Sequence, residues 1–203
     1  METIRTGVRR REVIESYAKY DYGKKHPDIP VPEFEQWDWS NADVIDASMR
    51  ESNLKRVPAG FELWDEVSLT VQDLRECAVY DAINRKLGTP MRMLGDLYTC
   101  GFLQDWEPTS KRDWYDSISK GMVTDHIGPM LLRDAVRCES PAKWYIEDGS
   151  GRGTAFVKHG LRFNPSEIVA VGFLGKTIDP GSSFMSEHFG ELAPSIFRPF
   201  REA

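Results

Sequence analysis

A chain of 203 residues with 40% hydrophobic and 11% aromatic side chains can bury a real core, which excludes a disordered protein. Its formal net charge of −6 lacks the basic footprint that supports nucleic-acid affinity, and no apolar run is long enough to span a bilayer. Three cysteines, Cys77, Cys100 and Cys138, form no C-x-x-C pair. This argues against a disulfide framework or structural zinc site and fits reduced thiols in a cytoplasm.

In chain order, residues 8–22 place Val13, Ile14, Tyr17 and Ala18 at helical spacing, with a stop expected at Gly23 before Pro27. The Arg9-Arg10-Arg11 triplet reads as a solvated face; no apolar core of a signal peptide follows it. Residues 24–40, with Pro27, Pro30 and Pro32, read as loop, and Ser40 with Asp43 as a capping box for a helix carrying Val44, Ile45 and Met49. Residues 1–60 hold too few apolar side chains for a core of their own. They are expected to form a helical N-terminal extension on a domain spanning 61–203.

Val67, Leu69 and Val71 alternate with polar residues, the signature of a half-buried strand. A helix is expected over Asp73 to Leu87 with Leu74, Ala78, Ala82 and Ile83 inward, closed by Gly88 and Pro90. Residues 91–99 predict a short helix and 101–108 a loop. Ser110 with Asp113 predicts the cap of a helix bearing Trp114, Ile118 and Met122 on one face. Met130 to Leu132 opens a strand, a turn follows at 139–141, and Glu167 to Leu174 is the clearest strand in the chain. A terminal helix from Phe184 would carry Met185, His188, Phe189 and Leu192 beyond a turn at Asp179-Pro180-Gly181. The order of elements predicts a compact mixed α/β fold, not a regular βαβ series.

Chemistry concentrates in Lys143 to Gly160, KWYIEDGSGRGTAFVKHG. The strand residues Trp144-Tyr145-Ile146 run into the acid pair Glu147 and Asp148, then the glycine turn Gly149-Ser150-Gly151-Arg152-Gly153, then a helix from Thr154. Small residues let a backbone approach phosphate, and the first turn of a helix offers N–H groups and a positive dipole end. The spacing of the glycines fails the dinucleotide fingerprint G-x-G-x-x-G, and no Gly-Lys-Ser/Thr follows, so Walker A fails too. Arg152 supplies a planar fork for bidentate phosphate contact. Ser150 and Thr154 offer hydroxyls to phosphate or Mg²⁺, with helix capping as the alternative. Asp148 could take a proton from a substrate hydroxyl or cap the turn. Glu147 alternates with it, so one of the two is expected to face the site. His126, His159 and His188 match no local metal-ligand spacing, and Asp179 is expected to serve the turn.

Asp148 to Ala155 resembles the ParB/sulfiredoxin superfamily, in which a strand ending in Asp-Gly is followed by G-x-x-R-x-x-A opening a helix. Gly149, Arg152 and Ala155 match those positions. Trp114 to Gly121 and Gly128-Pro129-Met130-Leu131-Leu132 are similar to the preceding helix and proline-led strand, so the resemblance covers roughly 66–175. It implies a compact domain that holds a nucleoside tri- or diphosphate, usually with Mg²⁺, over the turn at Gly149, Ser150, Gly151, Arg152, Gly153 and Thr154. The superfamily includes CTP-hydrolysing partitioning proteins, ATP-using sulfiredoxins and kinases of free serine. Ser150 stands where sulfiredoxins carry cysteine, and Ser150 and Gly151 replace both histidines of the serine-kinase motif. Residues 161–203 are expected to be too few for the DNA-binding and dimerisation domains of a partitioning protein.

Two functions follow. One is a nucleotide-dependent phosphotransferase or hydrolase acting on a small hydroxylated substrate with ATP, ADP or CTP, with Asp148 or Glu147 as base. The other is a non-catalytic module of the same fold that binds nucleotide, or binds DNA through the Arg-rich N-terminal helix.

Overall fold

In a computed structural model, residues 1–25, 63–79, 92–108, 113–123, 127–134 and 142–176 are described. The expected strand around Glu167 to Leu174 is β7, Ile168–Lys176, and it lies inside the sheet. The other strands are β1 (Glu2–Arg9), β2 (Leu63–Thr70), β3 (Cys77–Val79), β4 (Arg92–Met93), β5 (Met130–Asp134) and β6 (Trp144–Asp148). They form a seven-stranded sheet in the order β1-β2-β7-β5-β6-β3-β4. β3 runs parallel to β6 and β5 parallel to β7, while the remaining neighbours are antiparallel. The fold is therefore mixed α/β.

Five α-helices accompany the sheet among the described residues: α1 (Arg10–Lys25), α2 (Val71–Arg75), α3 (Leu94–Thr99), α4 (Asp113–Ser119) and α5 (Ser150–Lys158). Helices α2 to α5 share one apolar cluster with the sheet, in which Leu74, Leu94, Leu97, Ile118, Phe156 and Val157 meet Val67, Leu69, Met130, Leu132 and Ile146. Full burial of an aliphatic or aromatic side chain contributes about 1.5–3 kcal/mol, so this cluster is the main source of cohesion. The stripe expected on α1 is present: Val13, Ile14, Tyr17 and Ala18 are all buried. Helix α1 packs on β1 and β2. Trp64 is fully buried and alternates with Val67 and Leu69 along β2, which puts it on the opposite face of the sheet.

Val71 opens α2 instead of continuing β2, and β4 precedes the helix expected over 91–99. Helix α4 ends at Ser119 and leaves Met122 exposed. Three further elements differ from the sequence reading. Residues 2–9 form an edge strand where no element was expected over 2–7 and a helix was expected from residue 8; the helix starts at Arg10, and only Val8 of the strand is buried. The helix expected over Asp73 to Leu87 stops at Arg75. Thr70 and Asp73 close a reciprocal capping box at its start, and Glu76 is its C-cap. The apolar run Cys77-Ala78-Val79 then pairs with β6 and β4, burying all three side chains. Leu74 and Ala78 satisfy helical spacing equally well, so the partner strands decided the outcome. Third, α1 continues through Gly23 to Lys25. The expected Ser40/Asp43 helix, residues 80–87 of the expected long helix, the Ser110 cap, the turn at 139–141, the Asp179 turn and the helix from Phe184 lie outside the described residues, as do Cys138, His126 and His188.

No helix among the described residues is long and apolar enough to cross a membrane. Cys77 is buried, and desolvation pushes its thiol well above the usual range, while Cys100 is exposed.

Candidate functional site

Strand β6 ends at Asp148, and Gly149 turns the chain into α5 with φ +99°, a left-handed conformation that glycine adopts without strain. Helix α5 begins at Ser150, so most of the expected glycine turn is the first turn of the helix. Gly151 and Gly153 each cost about 1 kcal/mol of helix propensity relative to alanine. Gly153 offsets its cost by letting α5 settle on the sheet, since a Cβ there would sit 3.0 Å from Ile146 and 3.3 Å from Met130. Gly151 faces the other way: among the described residues, no atom outside its own stretch of helix lies within 4 Å of where its Cβ would be. The N-cap residue is a glycine and gives no side-chain cap, and the Gly153 N–H donates to the Gly149 carbonyl at 2.9 Å.

Arg152 is 6% exposed. Its side chain leans back toward the helix start, as helical side chains do, and reaches under the turn. Nη1 donates to the Gly128 carbonyl, and Nη2 donates to the Pro129 carbonyl at 3.3 Å and to Asp148 Oδ2 at 3.1 Å. The ring of Tyr20, from α1, lies 5.3 Å from the guanidinium carbon. Arg152 thus ties β6, the 128–129 segment and α1 to the start of α5. A phosphate-facing Arg152 was expected; the structure instead turns its fork onto protein acceptors.

The other expected site residues divide. Thr154 is fully buried, and its hydroxyl donates to the Ser150 carbonyl at 2.8 Å, so it does not face a ligand. Glu147 is bonded to Arg133 Nε, with both side chains under 10% exposed at 9% and 6%, and Arg133 stacks on the Tyr145 ring at 4.4 Å. Of the acid pair only Asp148 lies beside the turn, with Arg152, and β6 shifts register against β5 between the Leu131 and Leu132 pairings. Each acid is claimed by a different arginine. Ser150, Gly151 and Asp148 remain at the partly exposed surface of the turn.

Four contributors were missed. Gly128 is one: a Cβ there would fall inside the Tyr20 ring. Pro129 offers its carbonyl, and Met130 supports Gly149. Tyr20 follows Tyr17 by one helical step of three, the only sequence signal that it shares the inward side of α1.

At the far end of α5, Lys158 donates to the Trp106 carbonyl at 2.5 Å and pairs with Glu107 at 2.9 Å. That pairing pulls Glu107 below the usual carboxylate range. His159 lies with Nε2 3.4 Å from the Tyr115 hydroxyl, their rings meeting edge to face. Partial burial, Lys158 and Arg162 together hold His159 below its ordinary pKa.

The donors at the start of α5 suit a phosphate group. No cluster of three or more His, Cys, Asp or Glu side chains that could hold a metal ion exists among the described residues. No family model, curated protein or solved structure gives a significant match to this chain.

Proposed function

We propose that this chain binds a nucleotide through its phosphates at the start of α5, as a module resembling the ParB/sulfiredoxin superfamily, without turning it over. One observation carries the reading: a left-handed Gly149 delivers β6 into a helix whose first turn lacks a side-chain cap and whose Gly151 faces open space. Backbone N–H groups and the helix dipole then supply the anion contacts, with no cationic side chain committed to them. Any Mg²⁺ would arrive with the nucleotide, since the described residues offer no cage for it. The net charge of −6 favours nucleotide over nucleic acid as the partner, and a cytoplasmic setting would supply it.

Catalysis is less well supported by the same geometry. Glu147 is held in a buried ion pair and the Thr154 hydroxyl is bonded within its own helix. A phosphotransferase acting on a small hydroxylated substrate retains one candidate base, Asp148, whose Oδ2 is engaged by Arg152. Ser150 and Gly151 occupy the places where active members of the superfamily carry reactive side chains.

The test is a thermal-shift titration with ATP, ADP and CTP, each with and without Mg²⁺. A ligand that binds only the folded chain at 100 times its Kd should add about 2.7 kcal/mol and raise Tm. No rise with any nucleotide at millimolar concentration overturns the proposal. Product formation in the same samples would replace the binding module with an enzyme.

A further inference from the structure

We infer that α1 regulates the phosphate site, with Tyr20 strapping Arg152 into a withdrawn position; the inference rests on the phosphate reading above. Arg152 belongs to the first turn of α5, and its side chain lies beneath that turn. Its Nη2 sits 3.0 Å from where a Cβ on Gly149, the residue that turns the chain into α5, would be. A guanidinium there is the natural third contact for a phosphate. Instead both terminal nitrogens are committed, to the Gly128 and Pro129 carbonyls and to Asp148.

What holds it there is layered from outside by α1. The Tyr20 ring covers the guanidinium at 5.3 Å and lies directly on Gly128, whose lack of a side chain gives it room. Val13, Ile14, Tyr17 and Ala18 are buried, whereas Tyr20 is half-buried. The inferred release moves the Tyr20 ring while the four buried residues of the stripe keep α1 on the sheet. Once the ring leaves, Arg152 can exchange two neutral carbonyls for a charged phosphate, so ligand binding and Tyr20 docking oppose each other. The affinity of the strapped chain is then reduced by the fraction of molecules with Arg152 released.

The experiment uses the full chain and its Tyr20→Ala variant, each checked by circular dichroism. The Tyr20→Leu variant substitutes if Tyr20→Ala does not fold. Phenylglyoxal labelling of Arg152, followed by peptide mass spectrometry, reads the strap without any ligand. Tripolyphosphate titration by calorimetry reads its effect on binding. The strap predicts several-fold faster labelling of Arg152 and roughly tenfold tighter tripolyphosphate binding in the variant, the gain vanishing in a Tyr20→Ala/Arg152→Ala double variant. Unchanged labelling in a folded variant overturns the strap, and so does unchanged or weakened binding. Tripolyphosphate bound by neither protein overturns the phosphate reading itself and the regulation with it; faster labelling in that case identifies the phosphate reading as what failed.

Discussion

Glu147 is bonded to Arg133 across the β5–β6 ladder, with both side chains nearly sealed from solvent. Removing one partner of such a pair leaves an uncompensated buried charge, at a cost of about 3–5 kcal/mol. Glu147→Ala should therefore lower stability to urea by about that amount. An Arg133→Met/Glu147→Leu double variant should recover most of it. A Glu147→Ala protein of undiminished stability would remove the structural role assigned here.

Gly151 separates stability from binding. A carboxylate in the first turn of a helix is favourable by about 0.3–1 kcal/mol, and leaving glycine adds up to about 1 kcal/mol of propensity. With open space around its Cβ, Gly151→Glu should raise Tm slightly while abolishing the nucleotide-induced shift by charge repulsion. If nucleotide still raises Tm in Gly151→Glu, the ligand does not sit on the start of α5.

Gly149→Ala should destabilise the chain by at least about 1–2 kcal/mol. The substitution forces a Cβ into a left-handed conformation, 3.0 Å from both Arg152 Nη2 and Met130 Cγ. Chemical denaturation checks it, with Gly151→Ala as the contrasting neutral or stabilising change.

His159 makes stability fall in acid. Burial, Lys158 and Arg162 hold its folded pKa below the usual value near 6.5, so the unfolded chain binds the proton more readily. The contribution is present above that value and is lost as pH falls from about 6.5 toward the lower folded pKa. Urea midpoints measured between pH 7.5 and 5 should decline, and His159→Asn should flatten that decline.

The capping box at α2 offers a control remote from α5's first turn. Thr70 Oγ1 accepts from the Asp73 N–H at 3.2 Å, and Asp73 Oδ2 accepts from the Thr70 N–H at 2.9 Å. Thr70→Ala should cost about 1 kcal/mol in equilibrium unfolding and leave the nucleotide-induced Tm shift intact.

The gap between sequence and structure has a consistent cause. β7, the α1 stripe and the run from β6 through Gly149 into a helix were legible, because each is announced by periodicity or turn chemistry within a few residues. β1 was not, because an edge strand with one buried residue leaves almost no apolar pattern. β3 was hidden because Cys77-Ala78-Val79 suits helix or strand, and only pairing with Trp144-Tyr145-Ile146 selects the strand.

The same division runs through the site. By itself, the sequence determined that a strand passes through an acid pair into three glycines, an arginine and a helix, since strand and helix signals there are local. Tertiary structure alone decided what each charge does. Arg133 claims Glu147, while Gly128, Pro129, Asp148 and Tyr20 surround Arg152. Most of those partners lie far along the chain and meet only when the sheet and α1 assemble. A charged side chain's role is set by whichever partner replaces its water, and no local pattern names that partner.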